Sequence, residues 1–423
     1  MMSLFHLSSE SSHPSQSGKS LREAVLDSSS ARDLIPEQYR VHFDELRKSI
    51  FAFCDEFHIP REALSNKEAF GAELNSKKIS EERMAKAVSL FARLEHLITH
   101  GEPLKETPSE NLEEAERLYH LREQYDAQVA LLELVDILRD GAITGVDGNQ
   151  YPIPTLEQIA EHLCDPERRE FFETKRDQGF TKLLLVPFGM SLNDFISIFG
   201  SFLSHYKEVH PHFNLDTDEP FCTNRQYLGA DQNDSLVYGT KSFDSILSSK
   251  SGDNGGKTKI QVLKDQEAQL SFFSGWRIHL FQPSDPFDSH SLGFASIPQE
   301  GAGATQGTEI PRHDLEAGKS PKEYLSLLVK AQDDPKSPYY GESGMTPEDW
   351  MIASMIHITE TGEPLDDFQM QGGMNYLIGA FFSRANDVPL ADWHHDSAQA
   401  ALSVLLDSKN RFPSAGVRSS VLI

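Results

Sequence analysis

From Pro36 onward, apolar residues recur at helical spacing. Tyr39, Phe43, Leu46, Ile50, Phe53 and Phe57 are separated by 4, 3, 4, 3 and 4 positions, one stripe along a helix that Pro60 ends. Ala87, Leu90, Leu94 and Leu97 mark a second helix over 80–100. Leu118, Leu121, Tyr125, Val129, Leu132 and Val135 mark a third over 109–140, which Glu113 and Arg117 support as a pair four residues apart. Gly141 and Gly145 then supply the stop. Three amphipathic helices bury their stripes by packing together, so residues 36–144 are expected to form a helical bundle. Residues 1–35 hold eleven serines and few large apolar residues, too little to offset ordering entropy, and are expected to be disordered.

Past the bundle the periodicity changes. The turn-rich stretch 145–154 reads as a linker, and Thr155 with Gln158 reads as a capping box opening a helix. Residues 180–189 form a short continuous apolar run of strand type, followed by a helix around 191–208. The stretches 235–243 and 275–281 are candidate strands separated by polar loops. Ser320-Pro321-Lys322-Glu323 and Thr346-Pro347-Glu348-Asp349 each combine an N-cap hydroxyl, proline at the first helical position and an acid at the third. The second of these helices carries Trp350, Met351, Ser354, Met355 and Ile358 and ends near Gly362, and 374–382 follows as a buried strand. In 398–406, Ala398, Ala400, Leu402, Val404 and Leu406 alternate with Gln399, Ala401, Ser403 and Leu405, a half-buried strand. It is expected to form a C-terminal hairpin, within 388–423, with a last strand over 417–423. The class is therefore α+β: an N-terminal helical bundle, then a mixed domain over 145–423.

Charge narrows the partners. A net charge of −26 over 423 residues opposes binding to a phosphate backbone or an anionic lipid surface, and no run of Lys and Arg offsets it. No window approaches the roughly 18 apolar residues of a membrane span. The first residues lack the basic segment and apolar core of a signal peptide, so the chain is expected in the cytoplasm, or exported by a route without one. Cys54, Cys164 and Cys222 are far apart, which suits three buried free thiols rather than a disulfide framework.

The candidate chemical motifs fall short. Gly256-Lys257-Thr258 matches the second half of a phosphate loop, but the position where its first glycine belongs is Ser251. His205, His210 and His212 are the nearest approach to a metal-assisted hydrolase, though Pro211 interrupts them and no second half-site lies nearby. His394-His395-Asp396 are adjacent, and adjacent strand residues point to opposite faces. A Ser-His-Asp hydrolase needs a nucleophile elbow, and Gly341-Glu342-Ser343-Gly344 is one residue short of one. No catalytic residue, metal or cofactor is assigned.

The stretches 180–189, 316–325, 344–350 and 416–420 resemble uncharacterised bacterial proteins, largely of small-genome candidate lineages. The tail, with Trp393 before its penultimate hairpin and Gly416-Val417-Arg418 near its end, is similar to the C-type-lectin-like fold of formylglycine-generating and related domains. It also resembles the variable proteins of diversity-generating retroelements, whose C-terminal lectin-like region is rewritten by a reverse transcriptase. The enzymes of this fold use a cysteine pair that this chain lacks after Cys222, and the calcium-dependent sugar-binding motifs are absent as well. The resemblance therefore implies a non-catalytic protein binding an unidentified protein or surface ligand. Leu390, Asp392, His394, His395, Asp396, Ser397, Gln399, Ser403, Leu405, Asp407 and Asn410 would form its exposed ligand face. Trp393, Gly416, Val417 and Arg418 would be the scaffold beneath it. A further reading is a structural protein that self-associates through helices 36–140.

Overall fold

In a computed structural model, the described residues are 32, 35–61, 77, 90–91, 93–94, 96–98, 110–243, 255–268, 273–299, 313–368 and 373–423. The chain divides into two compact units, Met1–Thr107 and Pro108–Ile423.

In the first unit, α1 (Arg40–Glu56) buries Phe43, Leu46 and Ile50 of the expected stripe in one cluster with Leu94 and Leu97. Most of the expected disordered segment, and Ala87 with the first half of the expected second helix, lie outside the described residues.

The second unit starts earlier than the 144/145 boundary read from the sequence. The expected third helix is two helices, α2 (Glu110–Tyr119) and α3 (Leu121–Leu134). His120 between them is left-handed, with φ +49°, which a continuous right-handed helix cannot contain. The break lets Leu112, Ala115 and Tyr119 enter the same core as Leu121, Leu131 and Leu132. Stretch 145–154 is not an interdomain linker. It joins β1 (Ala142–Thr144) to β2 (Gln150–Pro152) in a hairpin whose Tyr151 is buried. Gly275, at φ +77°, lies against that ring; a Cβ there would sit 2.2 Å from Tyr151 Cγ, so only glycine fits.

Next come α4 (Leu156–Leu163), α5 (Arg169–Asp177), β3 (Lys182–Val186), α6 (Leu192–Val209), β4 (Phe221–Thr223), β5 (Leu236–Tyr238), α7 (Lys259–Ala268) and β6 (Arg277–Phe281). Then follow α8 (Pro321–Ala331), β7 (Glu342–Gly344), α9 (Pro347–Thr361), β8 (Asp367–Phe368), β9 (Met374–Tyr376) and β10 (Ala380–Phe382). The chain finishes with β11 (Val388–His394), β12 (Gln399–Leu405), β13 (Ala415–Gly416) and β14 (Ser419–Leu422). Thr155, Ser320 and Thr346 close the expected capping boxes on α4, α8 and α9, and Pro321 and Pro347 stand in the first turn of the latter two. The class is α+β.

The antiparallel sheet β3-β6-β14-β7 is fully buried along β3. Its outer edge is met by two glutamines of α3. Gln124 accepts from Leu183 N–H, and Gln128 accepts from Leu185 N–H and donates to the Leu183 carbonyl. Backbone groups on an edge strand need such partners when water is excluded. Helix α9 packs on β3, with α6 and β11 against its other sides, and is buried nearly all round.

The second sheet runs β13-β9-β11-β12-β4, with β8 parallel to the far end of β11. The expected strand 374–382 is divided: the chain turns at 377–379 and β10 leaves to pair with β5. The expected hairpin partner of β12 is also different. β12 pairs with β11, from Val388↔Leu405 to His394↔Gln399. β14 instead enters the first sheet between β6 and β7.

Candidate functional site

The β11–β12 hairpin sits between two hydrophobic clusters. Ala391, Trp393, Ala400 and Leu402 face the cluster built on α6 and α9. Val388, Leu390 and Leu405 face another, built on α8, Tyr376 and Phe381. That second cover corrects the expected ligand face. Leu390, Asp392 and Leu405 are buried, at 8%, 1% and 7% exposure. Alternation assigns them to one face of the sheet. It does not reveal that α8 and the loop after β12 fold over that face, where Lys322 N–H donates to the Ser408 carbonyl and Arg411 pairs with Glu323. Ser403 is half-buried, and its carbonyl accepts from the Tyr227 hydroxyl at 2.7 Å. Leu406, expected on the core side, is 73% exposed because the strand ends one residue before it.

The exposed part of the predicted set falls into two groups. His394, Asp396 and Ser397 are exposed at the hairpin tip, with His395 and Gln399 half-buried beside them. Asp407 and Asn410 are exposed past the other end of β12, about 20 Å away at the rise of an extended strand. The tip adjoins a shallow groove of about 480 Å³ between α6 and β4, lined by Ile196, Gly200, Ser204, Pro220 and Phe221. Gln399 reaches that side, donating to the Glu219 carbonyl at 2.6 Å.

Each tip imidazole is backed by a carboxylate. His394 Nε2 lies 3.3 Å from Asp392 Oδ2, and His395 Nδ1 lies 3.2 Å from Asp367 Oδ2. The two rings therefore turn to different partners instead of converging on one ion. Burial, opposed by the His394 charge and reinforced by Asp366, pushes the Asp392 carboxyl up to about 6. The four residues expected as scaffold are all tightly packed. Trp393 and Val417 are each 2% exposed, and a Cβ on Gly416 would meet Ile297 Cγ2 at 2.5 Å. Arg418 is buried against Asp366.

The hydrolase alternative loses its constellation. His205 lies on α6 beside Glu208, His210 stacks on Tyr206 with ring centroids 4.2 Å apart, and His212 is exposed in the following loop. Among the described residues, no three His, Cys, Asp or Glu side chains are placed to hold a metal ion. Of the three cysteines, Cys222 is exposed rather than buried. Among the described residues, no helix is long and apolar enough to cross a membrane.

Sequence reasoning missed the polar interior. Ser420 Oγ lies 3.0 Å from His279 Nδ1, and His279 Nε2 lies 3.5 Å from Asp349 Oδ1, too poorly aligned for a hydrogen bond. Burial alone would raise the Asp349 carboxyl, but His279 and Arg277 outweigh it and hold it below the usual range. All three side chains of this Ser–His–Asp row are fully buried. It ties β14 to β6 and α9. Lys175–Glu342 and Lys259–Asp231–Glu348 are further buried ion clusters. The signal in the sequence was charge inside apolar stretches: Arg277 and His279 within 275–281, and Glu348-Asp349 opening an otherwise apolar helix.

No family model, curated protein or solved structure matches this chain.

Proposed function

We propose that this chain is a non-catalytic binding protein, that its second unit carries a C-type-lectin-like domain, and that the tip of the β11–β12 hairpin contacts the ligand. The observation that carries this reading is the abrupt change of burial along one hairpin. Leu390, Asp392 and Trp393 are buried, and the next residues His394, Asp396 and Ser397 are exposed. Such a tip can change sequence without disturbing the core, as a contact surface on a rigid scaffold requires. Its mixture of His, Asp, Ser and Gln suits adaptable polar contacts to a protein or surface ligand. The resemblance to retroelement variable proteins supplies a source of that change.

The test is to sequence the 3′ end of the gene, with its flanks, across a population of cells. Substitutions should concentrate in codons 394–397 and 399, at adenine positions of a nearby near-identical template. They should spare the codons for Leu390, Asp392, Trp393, Leu405 and Gly416–Arg418. An invariant tip with no template or reverse transcriptase nearby would overturn the diversified reading.

A further inference from the structure

One concavity on this acidic chain has three cationic side chains in its described lining. A cavity of about 690 Å³ lies where β5, the start of α7 and the start of β6 meet. Its walls include Lys241, Lys257 and Arg277, with Tyr238, Ser242 and Gly255 between them, and its described lining holds no carboxylate. In a chain of net charge −26, three cations around one hollow set it apart as a candidate anion site.

The cations are not equivalent. Lys257 is partly answered by Asp265, Nζ to Oδ2 2.6 Å, in an exposed pair. Lys241 is exposed, and its stem lies across Gly255, where a Cβ would come within 3.2 Å of Lys241 Cγ. Arg277 is set deeper. Its guanidinium carbon sits 5.0 Å from the centre of the Phe188 ring, within cation–π range. Its Nη1 is buried and has no hydrogen-bond partner. A guanidinium cannot shed its proton, so Arg277 brings a permanent cation with spare donor capacity to the wall of the cavity.

The framework is rigid. Tyr238 and Lys257 exchange backbone hydrogen bonds of 2.8 and 3.0 Å, joining the two walls. Beneath them the Tyr238 hydroxyl donates to Glu348 at 2.7 Å. Lys259 ties Glu348, Asp231 and the Met190 carbonyl together at 2.9, 3.0 and 2.7 Å. These acids are fully buried and paired with Lys259, so they do not line the cavity.

We propose that this pocket binds a small phosphorylated molecule, its phosphoryl oxygens on the Arg277 fork and the Lys241 ammonium. A phosphomonoester carries between about −1.5 and −2 charges at neutral pH, which matches two to three cations better than a single carboxylate does. The cavity is much larger than one phosphate, and Tyr238 and Val262 give an apolar wall for the organic remainder. This site is separate from the hairpin tip and stands independently of that reading.

Calorimetric titration of the full chain with inorganic phosphate, pyrophosphate and ribose 5-phosphate tests it, with ribose as the neutral control. Saturable binding of at least one phosphate probe is expected, weakening as salt rises. Arg277→Gln and Lys241→Glu should each weaken it about tenfold or more. Lys241 is exposed, so its variant decides the matter if Arg277→Gln fails to fold. Absence of saturation by every phosphate probe up to about 10 mM, a far weaker limit than specific sites show, would overturn the proposal. So would equal affinity in the parent and Lys241→Glu.

Discussion

Arg418 and Asp366 form a buried ion pair, Nη2 to Oδ1 2.5 Å, with side chains 7% and 1% exposed. Asp366 is the hub of a small network. Its Oδ2 also accepts from Trp350 Nε1 at 3.1 Å and from Asn375 Nδ2 at 3.3 Å, and its carbonyl accepts from Trp393 N–H at 3.0 Å. The Gly-Val-Arg stretch is thereby fastened to α9 and β9 through the Asp366 carboxylate, and to the hairpin strand through the same residue's carbonyl. Arg418→Met leaves that carboxylate buried without its cation, which costs about 3–5 kcal/mol. The double variant Asp366→Asn/Arg418→Met should cost less than the two single losses combined. Urea unfolding of the three variants measures the coupling, and additive losses would show that the pair does not act as a unit.

Stability should respond to pH through Asp392. Its folded carboxyl titrates near 6, against an ordinary value of 3.8. Between these values the folded state binds a proton that the unfolded state has released, so stability falls as pH rises. The cost is absent below the unfolded value and complete above the folded one, at about 3 kcal/mol. Asp392→Asn removes the pH-dependent part whatever constant cost its amide brings. The stability difference between variant and parent should therefore shift in favour of the variant by most of that amount, about 2.5 kcal/mol, from pH 4 to pH 8. Denaturant midpoints at several pH values check it, and a flat difference would contradict it.

The thiols should separate by exposure. Cys222 is exposed, whereas Cys54 and Cys164 are buried. Burial, with the Asp55 charge adding to it, pushes the Cys54 thiol up to about 11, and burial with Glu114 also raises Cys164. A chromogenic disulfide reagent at pH 8 should titrate one thiol per native chain at once, and the other two only in denaturant. Cys222→Ser should abolish the fast phase.

Loss of the cap on the most buried helix should be felt more than loss of the cap on its neighbour. Thr346 is fully buried, and its Oγ1 accepts from Asp349 N–H while Asp349 Oδ2 accepts from Thr346 N–H at 2.8 Å. Ser320 does the same for α8 with Glu323 near the surface. Thr346→Ala is expected to cost about 2 kcal/mol and Ser320→Ala about 1 kcal/mol. Thermal melts of both variants give the order, and a larger loss for Ser320→Ala would reverse it.

What the sequence determined by itself lay within reach of a few residues. The capping boxes at Thr155, Ser320 and Thr346, the strand character of 180–189 and 275–281, and the helix over 191–208 all follow from contacts between residues up to four apart or from simple alternation. The strand over 399–405 was legible from its alternation, but its hairpin partner was expected in 417–423, and the exposure of His394, Asp396 and Ser397 was an implication of the family resemblance rather than of local pattern.

The tertiary structure decided everything that depended on a partner far along the chain. The family resemblance placed Leu390, Asp392 and Leu405 outside, and period-two alternation does not say what covers a strand's faces; all three are buried, Leu390 and Leu405 in the cluster that includes α8. The backbone of 419–422 could pair with any free edge, and it found β6 and β7 in the other sheet rather than the adjacent β12. The charges were the least readable. Lys259 and Asp231 look like ordinary surface residues in sequence, and only packing brought them together with Glu348 at full burial. A buried charge is tolerable only beside its counter-charge, and that neighbour is supplied by the fold, not by the local chain.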